Sequence, residues 1–267
     1  MIHYEIIQPK CKPIPLLVHI PHSSRFIPAK VRKDIVISDN ELRRELIKMT
    51  DHHTDDLFSS ALEHGGTLFI NKFSRLVVDP ERFPNDQDEP MSVKGMGAVY
   101  THTSSGARLR ALEFVRRNRN AIMNRYFYPY SRAIEELVSG YLDKFGMCLI
   151  LDGHSFPSIP LPYEDASLKR PDICLGYDSF HDPCRILPGI ISLVNSFGWI
   201  CCQNEPFSGS YVPLRYFRQD SRVKSLMIEI KRNMYMDEST ASRLETYLET
   251  RRRIDQIISF IAEELKN

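Results

Sequence analysis

Met147-Cys148-Leu149-Ile150-Leu151-Asp152-Gly153-His154-Ser155 is the stretch on which the fold turns. A short apolar run closed by Asp-Gly reads as a buried strand, Met147 to Leu151, that delivers polar residues at its carboxyl end. Working outward, similar runs recur at Ile14 to Ile20, Thr67 to Ile70, Leu76 to Asp79, Ile173 to Leu175, Trp199 to Cys202 and Leu226 to Ile230. Longer periodic segments fill the gaps. Asp39 or Asn40 would cap a helix reaching His64, ended by Gly65 and Gly66. A second spans about 106 to 140, with Pro129 as its kink or break. A third covers Pro183 to Phe197. The last starts near Asp237 or Ser239, with Leu244, Leu248, Ile254, Ile257, Ile258, Ile261 and Leu265 as one apolar stripe. Strands alternating with helices predict an α/β domain whose mixed, mostly parallel sheet is covered on both faces.

Composition narrows the function classes. With 267 residues, 42% of them hydrophobic, the chain can bury its own core. Lys plus Arg total 35 against 34 for Asp plus Glu, a net charge of +1, which argues against a nucleic-acid binder. No apolar run approaches the ~20 residues of a membrane span, and residues 1 to 15 lack a signal-peptide core, so a cytoplasmic protein is expected. Six cysteines without a Cys-x-x-Cys pair do not make a disulfide scaffold. Cys201 and Cys202 read as small apolar residues of a reducing compartment.

In open α/β sheets ligands bind beyond the carboxyl ends of the strands, so the polar residues there carry the functional reading. Leu16-Leu17-Val18-His19-Ile20 runs into Pro21-His22-Ser23-Ser24, and the 147 to 151 strand runs into His154. Either histidine alone is as easily a turn residue. Two at equivalent strand ends can converge, and neutral imidazoles suit Zn²⁺. A third ligand would come from Asp51-His52-His53-Thr54-Asp55-Asp56, inside the first helix, though most of that cluster suits a solvated helix face. Glu229 lies between Ile228 and Ile230 in a run too apolar for a sheet edge. A carboxylate there needs a cation, a water on a metal or a hydrogen-bond network. It is either a structural ion pair, with Arg232 for example, or a general base. Arg75 and Arg82 flank a short strand ending at Asp79, and their guanidinium forks suit carboxylates or an oxyanion. The segments Pro80 to Ser105 and Gln203 to Lys224 read as long functional loops. There is no Gly-x-Ser-x-Gly, His-Glu-x-x-His, P-loop or Gly-x-Gly-x-x-Gly motif.

Seven short pieces, in order between about residues 18 and 238, resemble the N-formylglutamate amidohydrolase family. They are His19-Ile-Pro-His-Ser-Ser24, Asp51 with Asp55 and Leu57, Ser74-Arg-Leu-Val-Val-Asp-Pro-Glu-Arg82, Lys94-Gly-Met-Gly97, Leu151-Asp-Gly-His-Ser-Phe-Pro157, Asn204-Glu-Pro-Phe-Ser-Gly-Ser-Tyr211 and Ile228-Glu-Ile-Lys-Arg-Asn-Met-Tyr-Met-Asp-Glu238. The resemblance implies a single domain over 1 to 267, a three-layer α/β/α fold similar to zinc carboxypeptidases and aspartoacylases. It implies His22 and His154 as ligands of Zn²⁺ or another divalent metal and Glu229 as the general base. Arg82 would contact a substrate carboxylate or the oxyanion, with Arg75, Asn204, Tyr211 and Arg232 as further substrate contacts. Three positions depart from the family pattern. Arg25 stands where an acidic ligand would follow His22, which makes Asp51 the choice for the third ligand. Glu81 precedes Arg82 where Asn is usual, and Ser210 replaces a Gly. The implied reaction takes N-formyl-L-glutamate to formate and L-glutamate, a closing step of one histidine-degradation route. Hydrolysis of another N-acyl amino acid or a peptide is the alternative, and a non-catalytic ligand-binding domain of the same fold is a third reading. The expected partner is a small-molecule N-acyl amino acid, with no nucleic acid and no membrane. The oligomeric state is not legible in the sequence.

Overall fold

The computed structural model describes residues 3–266. Its seven strands are β1 (Tyr4–Ile7), β2 (Leu16–Ile20), β3 (Thr67–Asn71), β4 (Cys148–Phe156), β5 (Ile173–Gly176), β6 (Cys201–Gln203) and β7 (Val223–Lys231). They form one mixed sheet in the order β1-β3-β2-β4-β7-β5-β6. The central run β3-β2-β4-β7 is parallel, as the continuous apolar patterns require. β1 and the pair β5-β6 run against it at the two edges. The helices are α1 (Ala29–Arg32), α2 (Asp39–Met49), α3 (Thr54–Leu57), α4 (Ala61–His64), α5 (Leu112–Ile122), α6 (Tyr128–Phe145), α7 (Leu187–Ser196) and α8 (Tyr247–Lys266). Leu16, Val18, Ile20, Leu149, Leu151, Leu226 and Ile228 point to one face, where Ile190 of α7 and Ile254, Ile257, Ile258 and Ile261 of α8 cover them. Leu17 and Ile150 point to the other, beneath Tyr130, Ile134 and Val138 of α6. Among the described residues no helix is long and apolar enough to cross a membrane.

Several boundaries differ from the sequence reading, each for a physical reason. β4 does not stop at Leu151: it pairs with β7 as far as Phe156, so His154 lies within the strand. Gly153 makes this continuation fit, because a Cβ there would approach Ile20 Cδ1 to 2.7 Å and the Phe58 ring to 2.9 Å. Leu76 to Asp79 is a turn, not a strand. The guanidinium of buried Arg110 donates to the carbonyls of Leu76 and Tyr100, giving the segment partners without a neighbouring strand. The expected 39 to 64 helix is three helices. Ser38, one residue before the expected cap, closes a capping box with Glu41 on α2. The chain then breaks through extended Thr50 and left-handed His53, at φ 67°. The second helix starts at Leu112, not near 106. A π-helical turn at Met123–Phe127 immediately precedes Pro129, and the chain stays helical across both, so the expected break is a local widening of the helix. α8 begins at Tyr247, eight to ten residues later than expected, because Asp237 ties the preceding segment into a turn through Ser239 and Thr240. Leu244 and Leu248 are therefore not on the buried stripe, and Leu248 is 72% exposed. The short edge strand β1 was not expected at all.

Candidate active site and metal centre

Register alone brings part of the site together. His19 of β2 pairs with Asp152 of β4, and His154 of β4 pairs with Glu229 of β7. Asp152 and His154 are two apart on one strand, so all four side chains share a sheet face, at the carboxyl end of the parallel strands. His22 follows β2 directly. Asp51 arrives from the break between α2 and α3, its amide donating to the His22 carbonyl at 3.0 Å. That break is why the residue is not on a helix as expected: the side chain is carried inward beside the histidines.

Three buried donor atoms face one another. His154 Nδ1 lies 3.0 Å, and His22 Nδ1 3.7 Å, from Asp51 Oδ2. Two ligands of a tetrahedral ion, each at ~2.0–2.2 Å, stand about 3.3–3.6 Å apart, a spacing that the two observed distances bracket. His22 Nδ1 is buried and has no hydrogen-bond partner, as an atom reserved for a cation would be. Its other nitrogen, Nε2, is held by Asp79 Oδ1 at 2.8 Å. Asp79 Oδ2 in turn accepts from Arg75 and from the Tyr100 hydroxyl. Asp51 Oδ1 accepts from Arg232 at 2.8 Å, which leaves Oδ2 turned to the imidazoles. Among the described residues two further donor groups adjoin this one: His19 with Glu81 and Asp152, and His22 with Asp79 and Glu81.

The electrostatics follow from burial and charge. Burial disfavours ionised Asp51, yet the hydrogen bond with His154, the nearby His22 ring and the Arg232 charge hold its carboxyl well below the usual range. Burial works against ionised Asp79 too, and Arg75 and His22 overcome it. Burial would lower His154, but the carboxylates of Glu81 and Asp152 raise it well above an ordinary histidine. Glu229 goes the opposite way from the aspartates. It is 9% exposed, and burial, reinforced by Asp51 and Glu81 against the opposing charges of His154 and Arg232, pushes it up to about 8. Its Oε2 has no hydrogen-bond partner, and the Arg232 guanidinium is engaged by Asp51, Ser155 and the Lys48 carbonyl. The structural ion pair between Glu229 and Arg232 is thus not formed.

These groups open into a cavity of about 620 Å³, walled on its apolar side by Phe83, Phe156, Leu161, Phe207 and Phe217. That volume is in the range of small-molecule sites. Arg82 lines it, its buried Nε without a hydrogen-bond partner and 3.6 Å from Asp79 Oδ2, its Nη1 3.6 Å from Glu89 Oε1. Arg75 and Arg232 line it too, but their guanidinium groups are committed inside the protein. Tyr211 lines it and stacks on His19 with ring centroids 4.4 Å apart. Asn204 does not join them: its Oδ1 accepts from the amides of Tyr177 and Gly209, shaping the loop from within. Ser210, the departure from Gly, bonds Ser225 at 2.6 Å.

The comparisons with known proteins bear on the family and the fold. The sequence profile of N-formylglutamate amidohydrolase matches residues 14–236. The chain belongs to that family. Membership makes it a hydrolase of amide bonds. It is 27% identical to the N-formylglutamate deformylase of Pseudomonas aeruginosa over 242 residues, which cover 88% of this chain and 86% of that one. The N-formylglutamate deformylase of Pseudomonas putida is 25% identical over 236 residues, covering 85% and 83% of the two chains. The crystal structure of N-formylglutamate amidohydrolase from Ralstonia eutropha JMP134 superposes with a TM-score of 0.83 at 25% identity, covering 99% and 98%. In this chain the cluster described above sits on that fold. Sequence reasoning passes over His19, Asp79 and Glu81 as members of the cluster, and offers Asp152 only as an alternative to Asp51 for the third ligand, beside Asp55 and Asp56. His19 carried the signal used for Glu229, an ionisable residue inside an apolar strand. Glu81 carried none, since its reach toward the histidines depends on the turn that replaces the expected strand.

Proposed function

We propose that this chain hydrolyses N-formyl-L-glutamate to formate and L-glutamate with a divalent ion, zinc in the simplest case, held by His22 Nδ1, His154 Nδ1 and Asp51 Oδ2. The observation that carries the reading is the convergence of these three atoms, one of them a buried nitrogen with no partner, beside a glutamate in strand register with His154. The named activity of the two Pseudomonas relatives supplies the substrate. An ion bound there would polarise the formyl carbonyl and acidify the attacking water toward neutral pH. Glu229 accepts the water's proton as oxygen adds to the formyl carbon, and returns it to nitrogen as the C–N bond breaks. A carboxyl raised by burial and lowered by an adjacent cation suits both halves of that transfer. Arg82, with donors still free, binds a substrate carboxylate and fixes the amide over the centre, while Tyr211 closes the wall above His19.

Two measurements check this assignment. Hydrolysis of N-formyl-L-glutamate is expected to exceed that of N-acetyl- and N-succinyl-L-glutamate by about 10-fold or more in kcat/KM. The formyl compound is the one the two relatives' names supply, and equal rates on the three would transfer the reading to a broader N-acyl amino acid hydrolase. Arg82→Met is expected to raise KM about 10- to 100-fold with a smaller change in kcat, the loss of one charged hydrogen-bonded contact. An unchanged KM would remove Arg82 from the substrate site.

A further inference from the structure

Asp79-Pro80-Glu81 places two carboxylates two residues apart on one turn, and each meets a different histidine of the cluster. Asp79 Oδ1 holds His22 Nε2 at 2.8 Å, and Glu81 Oε1 accepts from His154 Nε2 at 3.1 Å. The Glu81 amide also donates to Asp79 Oδ1 at 3.3 Å, tying the two together. We propose that Glu81 is a positioning residue: by binding Nε2–H of His154 it fixes Nδ1 as the nitrogen presented beside Asp51, as Asp79 does for His22. The inference rests on the metal-centre reading above and adds to it a residue that touches the ion only through His154.

The chemistry is that of the imidazole. A neutral ring carries one proton, and the partner of one nitrogen decides that the other is free to coordinate. A carboxylate partner also strengthens the ligand by drawing positive charge onto the ring. His154 has one other carboxylate near Nε2, Asp152 Oδ1 at 3.1 Å. Asp152 is already engaged on both sides, its Oδ1 with His19 Nδ1 at 2.8 Å and its Oδ2 with the Tyr211 amide at 3.1 Å. Glu81 is therefore the acceptor aligned with the Nε2–H. Its second oxygen lies 3.6 Å from His22 Nδ1, so the same carboxylate adds negative charge beside both proposed ligands.

The test is zinc affinity of the full chain, by competition with a chromophoric chelator, for the parent, Glu81→Ala and Glu81→Gln, alongside visible spectra of Co²⁺-loaded samples. Glu81→Ala is expected to weaken zinc binding about 10- to 100-fold and to shift the Co²⁺ bands. Glu81→Gln keeps an oxygen acceptor for Nε2–H in the same shape, and should recover most of the affinity and the parental spectrum. Its isosteric shape keeps the test valid if the alanine variant folds poorly. Parental affinity and spectrum in Glu81→Ala would overturn the proposal. So would a glutamine variant as weak as alanine, since the carboxylate would then be a direct ligand. A parent chain that binds no divalent ion would instead overturn the metal-centre reading itself.

Discussion

Glu229→Gln is expected to lower kcat on N-formyl-L-glutamate by about 10²- to 10⁴-fold, the range for losing a general base, while metal content and substrate KM stay near those of the parent. The amide fills the same place on β7 and cannot take up a proton. The same substitution should act on stability in the opposite sense. The folded carboxyl is pushed up to about 8 against an ordinary 4.5, so the fold favours its protonated form. For such a group the contribution to stability is fully present below pH 4.5 and is lost as pH rises through about 8. Metal-free parent and Glu229→Gln should therefore unfold alike near pH 4. At pH 8 to 9 the variant should be the more stable, by up to about 4 kcal/mol. The comparison needs metal-free protein because a nearby cation would pull the carboxyl back down. An active Glu229→Gln variant would remove Glu229 from the reaction, and equal stability at pH 9 would show that the group carries no buried charge.

This pairing of effects is what a functional residue inside a sheet looks like. β7 would be more stable with an apolar residue between Ile228 and Ile230, and an uncompensated carboxyl there is explained by its neighbours across the cavity rather than by its strand.

How much of this was legible depends on which part of the site is local. Glu229 could be found because it interrupts an apolar run that reads as a buried strand, and His154 because it follows one closely, at a strand end equivalent to that of His22. Asp51 was nameable and its setting was not. The sequence Met49 to Asp56 reads as continuous helix, and only the distant contacts with His22, His154 and Arg232 explain why the chain opens at Thr50. Leu76 to Asp79 shows the same limit in reverse. Its β-branched residues read as a strand, yet a buried Arg110 from 34 residues away supplies the partners a strand would have had. Asn204 and Arg232 carried the right chemistry for substrate contacts, but their hydrogen-bonding groups are taken up by a loop and by Asp51.

The second large effect concerns the metal. Chelation of the parent is expected to abolish hydrolysis, at least about 10³-fold, and zinc should restore it. His154→Ala should lose the activity without rescue, because only His22 and Asp51 would then remain of the three donors. Activity that survives exhaustive chelation would contradict the metal-centre reading, whatever the substrate proves to be.

The most direct measurement is anomalous diffraction at the zinc edge from crystals equilibrated with zinc. The account predicts one strong peak within about 2.0–2.2 Å of His22 Nδ1, His154 Nδ1 and Asp51 Oδ2, with Glu229 facing it. A peak centred on His19, Glu81 and Asp152 instead, or none in the cavity, would contradict it.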